Sequence, residues 1–208
     1  MAERRSVPLN KNLVINDRIW SGCPVKPSSG TPRHDYLRRL AIEAYLGYAM
    51  VHWTMTVAGR RKGWLGEHSH ALWREVLLHT LARYRLAAPV YCLMPDHAHV
   101  LLVGLARESD QPRAVSFVRR YTVGMFTERD GGWQKQAYDH VLREDERGPG
   151  AFQAAAHYIV ENPVRAGLVK EARAWRFSGS LVLGRPWMDW RAADFWDRWW
   201  QSFTNGSL

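Results

Sequence analysis

Val90-Tyr91-Cys92-Leu93-Met94-Pro95-Asp96-His97-Ala98-His99-Val100-Leu101-Leu102-Val103 decides the fold, because it reads as two apolar strands joined by a tight turn at Met94-Pro95-Asp96. Apolar runs of this length on either side of a proline turn form an antiparallel hairpin. The second run opens with His-x-His. On a strand, residues i and i+2 project from the same face, so His97 and His99 can share one cation while Ala98 turns to the other side. Spacing alone leaves a second option open, a pair of half-buried histidines hydrogen-bonded to the backbone.

Another His-x-His, His68-Ser69-His70, serves as an internal comparison. It opens the helical pattern Leu72, Val76, Leu77, Leu81, and on a helix residues i and i+2 stand roughly 200° apart and cannot chelate. His68 and His70 therefore read as solvated residues of a helix start, with Ser69 available as an N-cap. Further out, strands are expected over 49–57, 89–94, 97–103 and 136–142, and helices over 67–85 and 112–129. That order is βαββαβ, an α+β fold of the ferredoxin-like type: an antiparallel sheet with its helices on one face. An alanine-rich helix over 149–162, halted by Asn162-Pro163, would bring Tyr158 across the sheet toward the histidines.

Three blocks carry a family likeness: Leu93-Met94-Pro95-Asp96-His97-Ala98-His99; Trp133-Gln134 with Tyr138-Asp139-His140-Val141-Leu142-Arg143; and Tyr158-Ile159-Val160-Glu161-Asn162-Pro163-Val164-Arg165-Ala166-Gly167-Leu168-Val169. Together with Trp175-Arg176-Phe177-Ser178 they resemble the REP-associated tyrosine transposases, a branch of the His-hydrophobic-His single-strand nucleases related to insertion-sequence transposases. The resemblance covers residues 38–180, the expected catalytic domain. It implies metal-dependent cleavage and rejoining of single-stranded DNA beside hairpins of palindromic repeats, through a 5′-phosphotyrosine intermediate. Tyr158 matches the nucleophile, and His97 and His99 match the metal pair. A divalent metal, Mg²⁺ or Mn²⁺, is the implied cofactor; imidazole ligands by themselves would equally suit Zn²⁺.

A third metal ligand is expected, and Asn162, four residues beyond Tyr158, shares its helix face. The alternative for Asn162 is a helix stop before Pro163. His140 belongs to a matching block but has no partner at metal-binding spacing. Candidate phosphate contacts are Arg119, Arg120, Arg143 and Arg165, against the plainer reading of solvated charge.

The chain has a formal charge of +9 over 208 residues, which suits a polyanion but by itself fits RNA or an anionic membrane as well. An RNA-binding sheet would expose aromatics on its central strands, whereas these strands are mostly aliphatic. Cys23 and Cys92 cannot build a disulfide framework, and no apolar run approaches a membrane span, so a cytoplasmic protein without a membrane partner is expected. Residues 1–37 read as a basic, turn-rich arm. Residues 181–208 read as a Trp-rich extension in which Trp196, Trp199, Trp200 and Phe203 mark one helix face, either packing on the core or stacking on unpaired bases. A non-cleaving nucleic-acid-binding regulator on the same fold is the competing function. Monomer and homodimer both fit the sequence.

Overall fold

A computed structural model describes residues 39–129 and 131–208; the N-terminal arm expected over 1–37 and Cys23 lie outside the described residues. Strand β1 (Met50–Thr56) is followed by α1 (Glu67–Tyr84), β2 (Leu86–Met94), β3 (His97–Gly104), α2 (Gln111–Tyr121) and β4 (Tyr138–Val141). Then come α3 (Pro149–Val160), the single turn α4 (Asn162–Arg165), β5 (Ser178–Leu181) and α5 (Phe195–Thr204). The sheet order is β4-β1-β3-β2-β5 and every pairing is antiparallel. Its first four strands are the expected βαββαβ arrangement.

The pleat sorts the sheet into two faces. Val51, Trp53 and Met55 of β1 share one face with Ala98, Val100 and Leu102 of β3 and with Tyr91 and Leu93 of β2. This face is covered by Trp73, Leu77 and Leu81 of α1 and by Ala114, Val115 and Val118 of α2. The opposite face carries His52 and Thr54 of β1, His97 and His99 of β3, and Cys92 and Met94 of β2. It is covered by α3, which packs over β2 and β3 with Phe152, Ala155, Ala156, Ile159 and Val160 buried.

Local chemistry sets the element ends. Asp110 caps α2 by accepting the Arg113 N–H at 3.0 Å, and Pro112 sits in the first turn, where a missing N–H costs nothing. The helix expected over 112–129 stops at Tyr121 instead. Thr122 turns its hydroxyl back onto the Val118 carbonyl and a short 3₁₀ turn, Val123–Met125, brings Met125 into the core. Strand β2 begins at Leu86, three residues before the expected start, because a bulge between Ala87 and Val90 lets an alanine-proline stretch join the sheet.

Strand β5 was not expected as a strand. Ser178-Gly179-Ser180-Leu181 lacks β-branched and aromatic residues, yet pairs with β2 through Tyr91–Gly179 and Cys92–Ser178. A Cβ at position 179 would lie 2.7 Å from the Tyr91 hydroxyl oxygen, so glycine there lets the two strands close over a tyrosine.

Candidate active site

The turn before β3 puts Asp96 beside the first histidine. Its Oδ1 accepts the His97 Nδ1–H at 2.6 Å and its Oδ2 accepts from Arg60 Nη1 at 3.0 Å. Burial would raise the Asp96 carboxyl, but the hydrogen bonds and charges of His97 and Arg60 outweigh it and hold the group below its ordinary value. With Nδ1 engaged, His97 turns Nε2 toward His99, whose own Nε2 is 2.9 Å away, the two rings standing at 89°.

His99 Nδ1 points the other way, toward β1. It lies 2.9 Å from His52 Nε2 and 3.1 Å from Thr54 Oγ1, Thr54 being its cross-strand partner. Asp96, His97, His99 and His52 thus form one row across two strands. Beyond it, His140 of β4 is the cross-strand partner of His52 and contacts Glu146 at 3.2 Å. Burial, then the neighbouring imidazoles His140 and His97, push His52 down to about 3. Burial, followed by His52, His97 and Arg165, takes His99 well below the ordinary histidine value. His97 is lowered chiefly by burial, with Asp96 opposing. The three imidazoles are neutral at physiological pH beside the ionised Asp96, and neutral imidazole is the form that binds metals.

Helix α3 delivers Tyr158 to this face: its ring meets that of His52 edge-on at 6.4 Å between centroids. Arg165 stacks its guanidinium 4.0 Å over the Tyr158 ring and donates to the Tyr158 carbonyl at 2.6 Å. Asn162 Nδ2 donates to the carbonyls of Tyr158 and Ile159 at 3.1 and 3.0 Å, in the last turn of α3, where Pro163 has no N–H to offer. The amide nitrogen of Asn162 is therefore spent on its own helix.

The remaining arginines fall elsewhere. Arg143 is exposed at the end of β4, where its backbone N–H donates to Glu146 at 2.8 Å. Arg119 and Arg120 ride on α2, across the sheet from Tyr158. There Arg119 donates to the Gln134 carbonyl and Arg120 lies over the Tyr121 ring. His68 is exposed as expected, but His70 is not a solvated residue: its Nε2 lies 2.9 Å from the buried Tyr91 hydroxyl and its ring packs on Phe177. The N-cap of α1 is Gly66, and Ser69 instead donates to the Trp64 carbonyl. His70 is withdrawn from solvent by its contact with Tyr91 of β2, whereas Ser69 is taken by the loop that precedes the helix.

Sequence spacing missed His52 and Thr54. Their signal was present in β1, where two polar residues alternate with Val51, Trp53 and Met55, and it acquires meaning only when β1 is paired with β3.

Among the described residues no group of three His, Cys, Asp or Glu side chains could hold a metal ion. The His97–His99 pair nevertheless fits a divalent cation. Nitrogens bonded to one ion at about 2.0–2.1 Å sit roughly 3 Å apart, and a carboxylate holding the far nitrogen of a ligating histidine is the usual outer support.

No family model matches the chain. A Haemophilus influenzae protein named as a REP-associated tyrosine transposase is 23% identical over 140 residues, 60% of this chain and 76% of that protein. A solved structure of a REP-associated tyrosine transposase bound to a REP hairpin superposes with a TM-score of 0.57 at 19% identity, covering 69% of this chain and 81% of that one. The chain resembles the REP-associated tyrosine transposases in both sequence and fold. The expected α+β architecture is that of this structural relative, with β5 continuing the sheet beyond its ferredoxin-like core.

Proposed function

We propose that the protein is a metal-dependent tyrosine transposase that cuts and rejoins single-stranded DNA at or beside hairpin-forming repeats. The observation that carries this reading is the convergence of His97 Nε2 and His99 Nε2 on the sheet face over which α3 brings Tyr158. The names of the two relatives, one of them bound to a REP hairpin, support the substrate class.

In this reading the Tyr158 oxygen attacks the scissile phosphorus. The new O–P bond forms as the bond to the 3′-oxygen breaks; the phenol releases its proton to water and the 3′-oxygen takes one up. The linkage conserves the energy of the phosphodiester, so a 3′-hydroxyl can attack the phosphotyrosine and rejoin strands with no other energy source. His97 and His99 would hold Mg²⁺ or Mn²⁺, which supplies Lewis-acid polarisation of the phosphate and stabilises developing negative charge. Asp96 keeps His97 oriented, and Arg165, beside the phenol, is placed to offset phosphate charge. Tyr158 meets His52 of its own chain, which supports a site that works in cis. Among the described residues no helix is long and apolar enough to cross a membrane.

End-labelled oligonucleotides carrying palindromic hairpins, incubated with the protein and Mg²⁺ or Mn²⁺, test the proposal. A covalent protein–DNA adduct is expected that disappears with Tyr158→Phe, with His97→Ala/His99→Ala, or on chelation. Hairpin binding with no adduct under any metal would instead leave the non-cleaving regulator.

A further inference from the structure

The row Asp96–His97–His99–His52 has more nitrogens than protons, and the hydrogen bonds decide where the protons sit. A neutral imidazole has one N–H and one lone pair. Asp96 accepts from His97 Nδ1, so the His97 lone pair is on Nε2, facing His99 Nε2 at 2.9 Å. Two lone pairs at that distance repel. With protons alone, the contact bonds only if His99 carries its proton on Nε2 and donates it. His99 Nδ1 is then an acceptor, and His52 Nε2 at 2.9 Å donates to it, as can Thr54 Oγ1 at 3.1 Å.

A cation held by both Nε2 atoms demands the reverse arrangement. His99 must keep a lone pair on Nε2 and carry its proton on Nδ1, which then needs an acceptor. The neighbour 2.9 Å away can accept only if its own proton moves to its Nδ1.

We propose that His52 is a positioning residue that changes tautomer together with His99, donating from Nε2 when His99 donates to His97 and accepting at Nε2 when His97 and His99 hold a metal ion. The protons balance. One leaves His99 Nε2 and one arrives at His99 Nδ1; one leaves His52 Nε2 and one arrives at His52 Nδ1, by exchange with water. Each ring is neutral before and after, and none is discharged to solvent overall. His52 is 5% exposed, so its ring is held in place by the sheet and by α3. Its edge meets the Tyr158 ring, so the change occurs next to the proposed nucleophile.

This inference rests on the metal-dependent reading of the site, and its test needs no DNA. Protein labelled with ¹⁵N at histidine is titrated with Zn²⁺, which is diamagnetic and well matched to imidazole, and each tautomer is read from two-bond ¹⁵N–¹H correlations. Expected on loading is a joint change of His99 and His52 from Nε2–H to Nδ1–H. A metal on both His97 and His99 with His52 unchanged overturns this inference alone and hands the role to Thr54. Failure of Zn²⁺ to bind these two histidines overturns this inference, while the adduct assay with Mg²⁺ or Mn²⁺ decides the proposed metal dependence by itself. In calorimetry, His52→Phe is expected to weaken Zn²⁺ binding by about 10–100-fold, the usual cost of losing an outer partner of a metal ligand. His52→Gln, whose amide can donate or accept, is expected to recover most of the loss; equal affinity in all three proteins contradicts the proposal.

Discussion

Tyr91 shows how one residue's surroundings reassign another's role. Its hydroxyl, inside the sheet, is reached by His70 Nε2 and Arg74 Nη1, each at 2.9 Å. Burial, then the charges of Arg74 and Arg191, pushes His70 from 6.5 down to about 4. The folded state therefore refuses a proton that the unfolded chain accepts between these values. The stability His70 contributes is complete above pH 6.5 and is lost as pH falls toward 4. Replacing it by a group that does not titrate should flatten this limb: urea midpoints between pH 7 and 4.5 are expected to fall less for His70→Gln than for the parent, and parallel curves would refute the assignment. At this scale the sequence singled out His97, His99 and Tyr158 as candidates through spacing and family blocks, because strand and helix periodicities are local. It could not show His70 as packed or His52 as a neighbour of His99. Each depends on a partner far along the chain, Tyr91 for one and β3 for the other.

Helix α5 bears on the element that carries Tyr158. Trp199 is wholly buried and stacks on Phe152 of α3, with centroids 6.1 Å apart and planes within 4°, while Trp196 and Trp200 close on the same ring edge-on. The indole stripe of the Trp-rich extension thus packs against the root of the proposed nucleophile helix. Truncating a buried aromatic removes both its transfer free energy and its contacts. Trp199→Ala is expected to cost about 3–5 kcal/mol in urea unfolding, with the folded fraction losing adduct formation as α3 loosens; a cost below about 1 kcal/mol would show that α5 is dispensable to the core. Periodicity sufficed for β1, α1, β3 and the helical face of α5, where buried side chains recur at regular intervals. It overran α2, because Val123, Met125 and Phe126 keep the apolar pattern going after the backbone has left the helix. It missed β5, a four-residue edge strand whose glycine answers to the Tyr91 hydroxyl and whose serines bond the Trp175 carbonyl and the Trp190 N–H, none of which strand propensity reads.

For the molecule as a whole, a charge of +9 makes ionic strength the natural probe of the proposed DNA binding. Neutralising phosphates releases counterions, so log affinity for a hairpin with single-stranded flanks is expected to fall linearly with log salt concentration. If Arg165 contacts a phosphate of the unpaired strand, Arg165→Ala should lower that slope by about 0.7; Arg120→Ala, across the sheet, should leave it unchanged in the same titration. An equal effect of both would mean that the strand wraps both faces. Composition, hydrophobic period and motif spacing, which are properties of neighbours in the chain, by themselves determined the net positive charge, the βαββαβ order, the His-x-His strand and the helix bearing Tyr158. The tertiary structure alone decided that α3 covers the histidine face while α2 lies on the other, that Asn162 turns its amide nitrogen to its own helix, and that His52 closes the histidine row. Those outcomes follow from strand register and from which face each helix buries, and both are set by packing between segments distant in sequence.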